Sequence, residues 1–496
     1  VPPIRSKLIE SIRSVLYENA EERKKFLDKT GHRIYDGWIR QKKHEWVRLS
    51  CLGASRQVGR TCFLLQTPES RVLIDCGIDP GQEGTETYPY LDAPEFNISE
   101  IDAVVVTHSH LDHSGLIPYL FKFGYAGPVY CTYPTRDVMS LLQLDMIKIQ
   151  RNQGKEPIYT SEEVKKTVMH TVCLNYDEVA DITPDIRLTF YNAGHILGSA
   201  IVHFNIGNGL HNFAYTGDLK YGRTNVLEAA NTQFPRIETL MMEATYGGKD
   251  CVMQEESADE YMIRVIKKTF ERGGKVLIPV LGSGRAQEVM IIVERLMREQ
   301  KIPNAKVYAD GMLWDISAIH TAYPEYLNRN LRQQIFHKEN NPFLSPIFHQ
   351  VGSRKERQQV IQEEGPCLIL ATSGMLTGGP SVEYLKNLAE NKKNSIIFSC
   401  YQPRGSMGQR IRDGEKDIMM EGKMVTMNLD VHKVEITNHS DRRQLMNYVK
   451  RCNPQPRKVL VVHGEASRCL DLASSLHKAY RIETSAPKNL EVVRLK

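Results

Sequence analysis

Short apolar runs that stop on an acidic or imidazole side chain punctuate this chain of 496 residues. V-L-I-D ends in Asp75, A-V-V-V-T-H in His108 and I-R-L-T-F-Y-N-A-G-H in His195. N-F-A-Y-T-G-D ends in Asp218, T-L-M-M-E in Glu243, V-E-I-T-N-H in His439 and V-L-V-V-H in His463. Apolar runs of this length, bounded by glycine and turn residues, read as buried strands. Between residues 46 and 246 they follow one another as short strands and turns, with helices expected over 116–123 and most of 135–172. From about 247 to 430 the texture alternates strand, glycine loop and helix. Ser257 and Glu260 form a capping box for a helix that stops at Gly273 and Gly274. K-V-L-I-P-V is a strand, G-S-G-R a loop and 286–300 a helix. C-L-I-L-A-T-S-G-M with the helix from Ser381, and then S-I-I-F-S-C-Y, repeat the pattern of a parallel α/β layer. The end of the chain returns to the first texture, with helices over 442–450 and 467–480. Residues 1–46 differ from both: 4–27 has helical periodicity, T-G-H-R-I reads as a turn, and the segment is too short to hold a core, as a linker or the tail of an upstream domain would be.

Composition narrows the class. The chain is 41% hydrophobic and 25% charged, as ordinary globular proteins are. No apolar run approaches a membrane span and no signal-peptide pattern opens the chain. It begins at Val1 rather than Met, as a processed or truncated product would. The net charge of +5 is compatible with a polyanionic substrate without demonstrating one. The ten cysteines form no C-x-x-C pair and read as buried thiols of a reducing compartment. Any metal ligands are therefore histidines and carboxylates.

H-S-H-L-D-H packs His108, His110, Asp112 and His113 into six positions after a strand. Leaving a strand, residues i and i+2 point the same way, so His108 and His110 can hold one ion together. Asp112 and His113 come a turn later and aim towards a second. A polar turn capping the next helix needs one such side chain, not four. Imidazoles and carboxylates are the ligands zinc takes when thiolates are absent. A lone aspartate after a strand is usually a turn residue. Strand ends collected at one edge of a packed fold instead suggest one shared site. His203, His211, His320 and His349 lack this placement and read as ordinary surface or core histidines.

H-S-H-L-D-H, with Asp75 before it and G-H-I-L-G-S and T-G-D after it, resembles the metallo-β-lactamase superfamily. The inserted α/β segment, Glu243, N-H-S-D and V-V-H-G-E resemble its β-CASP nucleases, most of all the archaeal homologues of the cleavage and polyadenylation specificity factor endonuclease subunit. The resemblance covers 47–496. It implies an αββα sandwich formed by 47–246 and 432–496, with a β-CASP domain inserted at 247–431. It makes 1–46 the tail of a KH-type domain. By the same resemblance His108, His110 and His195 hold one zinc ion, Asp112, His113 and His463 hold a second, and Asp218 bridges both. Asp75 orients ligands, because an imidazole's free N–H needs a fixed partner. His439 is the general acid and Glu243 orients it and favours its protonated form. The activity implied is hydrolysis of RNA phosphodiester bonds by a hydroxide activated between two Zn2+ ions, leaving 5′-phosphate and 3′-hydroxyl.

The glycine turns at 282–285 and 372–375 present backbone N–H groups and helix N-termini to anions. Neither is a P-loop, since no G-K-S/T follows. The resemblance places them over the nuclease cleft, with Arg285, Ser373 and Arg404 as RNA-phosphate contacts. It also implies single-stranded RNA rather than DNA as substrate, because the DNA-repair branch typically lacks a histidine at the position of His463. A homodimer through the C-terminal region, RNA polymerase or RNA-processing factors as partners, the archaeal cytoplasm, and a role in RNA 3′-end formation or transcription termination follow from relatives alone. Endonuclease and 5′-to-3′ exonuclease action both occur among them. The alternatives are a small-molecule metallo-hydrolase, against which the insertion, Glu243 and His439 argue, and an inactive RNA-binding scaffold, which would show lost ligands.

Overall fold

The computed structural model describes residues 7–40, 46–249, 257–337, 340–400, 402 and 405–496. The chain divides into two compact units, a larger one of Lys7–Arg223, Glu228–Cys251 and His439–Lys496, and a smaller one built mainly of Val252–Asn438 with Thr224–Leu227.

The larger unit is a sandwich of two seven-stranded sheets. From edge to edge the first runs Val492–Arg494, Arg48–Cys51, Phe63–Gln66, Arg71–Ile74, Ala103–Val105, Val129–Cys131 and Thr171–Cys173. The second runs Glu483–Ser485, Lys458–Val462, Thr239–Glu243, His211–Tyr215, Ala200–Ile206, Ile186–Asn192 and Val179–Thr183. The period of two along each strand splits its side chains between two cores. Phe63, Leu65, Val72, Ile74 and Val105 meet Phe190, Val202, Phe213, Tyr215, Met241 and Leu460 between the sheets. Leu64, Leu73 and Val104 face outward onto Leu120, Phe121, Met139 and Val164 from helices. On the other side, Leu240, Met242 and Val461 pack under Leu445, Tyr448, Leu472 and Leu476 of the helices Arg442–Arg451 and Ala466–Tyr480. This is the αββα arrangement expected from the sequence.

Two local expectations need correction. T-G-H-R-I is not a turn but lies inside the helix Ala20–Arg40. A glycine in a helix costs only about 1 kcal/mol, and Arg33, two residues on, ties the helix to Asp102 at 3.0 Å. The helix expected over 116–123 is present as Ile117–Lys122, with a further short helix, Leu111–Ser114, before it. V-E-I-T-N-H is not a strand ending in His439. The strand is Asp430–Lys433, and the ladder ends there. Alternating burial of Val434 and Ile436 imitates a strand, but it reports only that one side of the segment is covered.

In the smaller unit a six-stranded sheet runs Phe348–Val351, Val307–Asp310, Leu368–Ala371, Val276–Pro279, Ser395–Phe398 and Asp430–Lys433. All its pairings are parallel. Its strands read as unbroken apolar runs because they are covered on both faces. The capping box opens the helix Ala258–Glu271, as expected. Lys275, buried, donates through Nζ to the carbonyl oxygens of Val360 and Ile361 and so closes the C-terminus of the helix Arg354–Gln362.

His320 in the helix Leu313–Ala322 is a buried core histidine. Its Nδ1–H donates to the Ile316 carbonyl oxygen at 2.8 Å, while Nε2 has no partner. Burial pulls its pKa down to about 4 against the partial opposition of that bond. The unfolded chain takes up the proton near 6.5, so between those values it binds more protons than the folded chain, and stability falls as the pH falls. The loss at pH 5 relative to pH 7 should be about 2 kcal/mol. His320→Asn, whose amide can keep the bond to Ile316, should lose that part of the pH dependence in urea unfolding at the two pH values. An unchanged pH dependence would show that His320 is not its source.

Candidate metal centre

The ligand-type residues gather at one end of the sandwich. Asp75 follows the strand Arg71–Ile74, His463 follows Lys458–Val462, and Glu243 ends Thr239–Glu243. His108, His195 and Asp218 lie three residues beyond Ala103–Val105, Ile186–Asn192 and His211–Tyr215. Gly217 turns the chain into Asp218 at φ 55°, and a Cβ there would lie 2.7 Å from Thr107 Cβ, so only glycine fits. Asp75 and His463 also adopt positive φ, 56° and 47°. Such backbone strain at non-glycine residues is held only where surrounding bonds demand it.

Two ligand groups form. In the first, His110 Nδ1 lies 3.2 Å from both His108 Nε2 and His195 Nε2. Asp218 Oδ2 lies 3.5 Å from His108 Nε2 and 3.6 Å from His195 Nε2. Tetrahedral zinc with bonds of about 2.0–2.2 Å separates its ligand atoms by about 3.3–3.5 Å. The observed separations match that tetrahedron. The second group joins Asp112, His113 and His463. His463 Nε2 is 3.4 Å and His113 Nε2 3.9 Å from Asp112 Oδ2. Asp218 turns its other oxygen, Oδ1, towards this group, 3.6 Å from His113 Nε2. His463 Nε2 is buried with no hydrogen-bond partner, as an atom reserved for a cation would be, and Asp218 Oδ1 lies 2.9 Å from His463 Nδ1. The residues present therefore fit divalent ions. None of the H-S-H-L-D-H side chains caps the helix that follows.

The electrostatics agree. Burial holds His108 and His110 below the usual histidine pKa, in the neutral form that coordinates. Burial opposes charge on His463 too, but Asp218 and Asp112 outweigh it and carry its pKa up to about 10. The carboxylates in this half of the site thus call for positive charge.

Asp75 reaches the centre through His113. It accepts from His113 Nδ1 at 2.7 Å and from the Thr107 backbone N–H and hydroxyl at 2.7 and 2.8 Å. This fixes the His113 tautomer and leaves Nε2 facing the second group. Asp75→Ala should weaken metal affinity by about 10–100-fold, read by competition with a chromophoric chelator. Wild-type affinity in a folded variant would remove the orienting role.

His439 stands beside the centre, its Nε2 3.9 Å from Asp218 Oδ2. Its Nδ1 faces both oxygens of Glu243, at 3.0 and 3.1 Å. Glu243 is also one corner of a possible ligand triad with Asp218 and His463. Its oxygens, however, accept from the Leu219 N–H at 2.7 Å and the Thr245 N–H at 3.3 Å as well as facing His439, which suits orientation rather than ligation. Burial disfavours charge on His439, but Glu243 and Asp218 outweigh it and raise its pKa.

Residues unmarked in the sequence complete the arrangement. Lys220 Nζ donates to the His439 carbonyl oxygen at 2.9 Å, Ser440 N–H to the Leu219 carbonyl at 2.8 Å, and Tyr221 N–H to Ser440 Oγ at 2.7 Å. The segment just after Asp218 is thereby stitched to His439. Thr107 was equally silent, its only signal being its place immediately before His108. Of the phosphate candidates, Arg285 opens the helix Arg285–Arg298. Ser373 Oγ lies 3.0 Å from Thr377 Oγ1 and accepts the Thr377 N–H. Arg404 lies outside the described residues. His203 and His211 are buried and belong to neither ligand group, and His320 is buried in the smaller unit.

Comparison with known proteins agrees with this geometry. Residues 64–245 match a metallo-β-lactamase superfamily domain, 286–411 a β-CASP domain and 424–487 the RNA specificity domain of zinc-dependent metallo-hydrolases. The chain is 51% identical over 502 residues to the transcription termination factor FttA of Methanocaldococcus jannaschii, covering 100% of this chain and 79% of that protein. It is 50% identical over 509 residues to FttA of Thermococcus kodakarensis, covering 100% and 78%. FttA of a Lokiarchaeum is 45% identical over 502 residues, with the same coverage as the Thermococcus protein. A crystal structure of a protein of unknown function from Enterococcus faecalis shares the fold, with a TM-score of 0.55 at 15% identity over 91% of this chain and 100% of that one. The chain belongs to the β-CASP family of the metallo-β-lactamase superfamily, together with the archaeal FttA proteins.

Proposed function

We propose that this chain is a zinc-dependent ribonuclease that hydrolyses phosphodiester bonds of single-stranded RNA, leaving 5′-phosphate and 3′-hydroxyl ends. The observation that carries the reading is the pair of ligand groups sharing Asp218, with the Glu243-held His439 beside them. Two bound Zn2+ ions would lower the pKa of water and neutralise charge on the phosphoryl oxygens. His108, His110 and His195 would hold one, Asp112, His113 and His463 the other, and Asp218 both. The chain's own groups supply the rest. His439 in its charged form donates a proton from Nε2 to the leaving 3′-oxygen, while Nδ1–H stays on Glu243. The Lys220 and Ser440 bonds keep that nitrogen directed at the centre. Asp75 keeps His113 Nε2 available.

The glycine loops of the smaller unit would add RNA-phosphate contacts from Arg285 and Ser373, and Arg404 is the third candidate contact. Endonucleolytic cleavage is the primary mode and 5′-to-3′ trimming the second. The name carried by the FttA relatives supports a role in transcription termination or RNA 3′-end formation, beside RNA polymerase or RNA-processing factors in the archaeal cytoplasm. Among the described residues no helix is long and apolar enough to cross a membrane. A homodimer through the C-terminal region is supported by the exposed Leu490 and Val492 at the edge strand Val492–Arg494.

The test is incubation of zinc-loaded protein with labelled single-stranded RNA and its DNA twin, before and after chelation. RNA cleavage to 5′-phosphate products, abolished by the chelator and restored by zinc, is expected. Two bound zinc ions with no RNA cleavage, and turnover of small thiolesters or lactams instead, would overturn the reading.

A further inference from the structure

Near its end the chain passes from one sheet of the sandwich to the other. Glu483–Ser485 is the edge strand of one sheet and Val492–Arg494 that of the other, so residues 486–491 cross between them. The loop joining Arg48–Cys51 to Phe63–Gln66 lies against this crossing. Ala54, Arg56 and Arg60 of that loop adopt φ of 54°, 58° and 43°. Left-handed backbone at non-glycine residues is strained, persists only where surrounding bonds over-determine it, and gathers at functional sites.

The crossing segment supplies those bonds. Asn489 Oδ1 accepts the Ser55 N–H at 3.0 Å, and its Nδ2 donates to Gln57 Oε1 at 3.0 Å. Arg56 donates through Nε and Nη2 to the Ala486 carbonyl oxygen at 2.9 and 2.7 Å. Gln57 Oε1 also accepts from Arg60 Nη2 at 3.2 Å, which ties both ends of the strained stretch into one network. What the loop holds in turn is the second ligand group. The Ala54 carbonyl accepts the His463 N–H at 2.7 Å, and the Gln57 carbonyl accepts the Gly464 N–H at 3.1 Å. Thr61, the next residue after Arg60, donates its N–H to the Asp112 carbonyl at 2.8 Å and places Oγ1 3.5 Å from His113 Nε2. Residues 54–61 thus touch Asp112, His113 and His463. The first group is anchored elsewhere: the His195 N–H donates to Ser199 Oγ at 3.1 Å, and the Thr107 carbonyl beside His108 accepts the Ala200 N–H at 2.8 Å.

We propose that Asn489 is a positioning residue for the metal of the second group, acting through the loop 54–61 on His463 and Asp112. The inference rests on the metal reading of the two ligand groups and is independent of the substrate. Without the Asn489 amide, the Ser55 N–H and the Gln57 side chain lose their fixed partners and the loop is free to relax its strained φ values. The Ala54 and Gln57 carbonyls that aim His463 then shift, and ligands must be held within about 0.5 Å of their working geometry. An ion held by Asp112, His113 and His463 is bound more weakly as a result, while one held by His108, His110 and His195 is bound as before.

The experiment measures zinc affinity of the full chain by competition with a chromophoric chelator, in two backgrounds. His195→Ala leaves the second group intact, and His463→Ala leaves the first. Adding Asn489→Ala to His195→Ala should weaken the tighter ion by about 10–100-fold, the range for losing a group that orients ligands. Adding it to His463→Ala should leave the tighter ion unmoved. Asn489→Asp, which keeps an oxygen for the Ser55 N–H, should lose less than Asn489→Ala. Cobalt(II) in place of zinc gives a spectroscopic readout: Asn489→Ala should alter its visible bands in His195→Ala and not in His463→Ala. If circular dichroism of the chelated protein shows that Asn489→Ala does not fold, Asn489→Asp carries the same comparison. Zinc affinity indifferent to Asn489 in both backgrounds would overturn the proposal. Equal losses in both would overturn it too, by marking Asn489 as a support of the whole fold. A wild-type chain that binds fewer than two ions would fail the metal reading itself, and the proposal would fall with it.

Discussion

His439→Ala should lower RNA cleavage by about 10²–10⁴-fold, the range for losing a positioned general acid, while two zinc ions per chain remain bound. His439 is not among the two converging ligand groups, and its Nδ1 is committed to Glu243. The loss should therefore fall on the chemical step rather than on metal content. Glu243→Gln gives the complementary result. It keeps an acceptor for Nδ1–H but removes the charge that helps hold the His439 pKa up. Because the acid must be protonated to act, activity is lost as the pH rises through its pKa. In Glu243→Gln that alkaline limb should move to lower pH. Single-turnover cleavage rates across pH, with zinc measured by atomic spectroscopy, check both variants. A His439→Ala protein that cuts at the wild-type rate would place the acid elsewhere. One that loses its zinc would make His439 a ligand.

Asp218→Ala should be more damaging still, with activity lowered by about 10⁴-fold or more, the range for disabling a group on which the whole site depends. Asp218 presents Oδ2 to the His108, His110 and His195 group and Oδ1 to the His113 and His463 group. Among the described residues no other carboxylate lies within 4 Å of histidines of both ligand groups. Its removal leaves three imidazoles in the first and Asp112 with two imidazoles in the second. Zinc content should fall below two per chain, with the second group emptied first because its ligand atoms stand farther apart. Near-UV circular dichroism on the same samples separates loss of metal from loss of fold. Retention of two zinc ions and a normal rate would mean that Asp218 does not bridge.

The candidate site was legible because most of its members announce themselves in the same way. Asp75, His108, His195, Asp218, Glu243 and His463 each close an apolar run, and buried strands of a sandwich deliver their ends to common edges. The i, i+2 relation of His108 and His110 has its counterpart in one group of convergent side chains that also holds His195 and Asp218, while Asp112 and His113 converge with His463 in another. His439 was found through its motif, but its placement was misread, because alternating burial in 434–438 arises without a strand. The helix Ala20–Arg40 was misread because a glycine in its interior looks like a stop. Side-chain bonds from that helix, such as Arg23 to the Thr171 carbonyl at 2.7 Å, were invisible before the fold was known.

What the sequence by itself determined is a run of short strands interrupted by a parallel α/β layer, with histidines and carboxylates at the strand ends, and the family resemblance those residues carry added the two-sheet sandwich. Hydrophobic period and strand-end chemistry are local properties, so a single chain displays them. What only the tertiary structure decided is which atoms meet. That Asp218 divides its two oxygens between the ligand groups depends on contacts between segments far apart in the chain. So do the pairing of Glu243 with His439 across 196 positions and the hold of Lys220 on the His439 carbonyl. Such contacts follow from packing two sheets face to face, and no local pattern of residues encodes them.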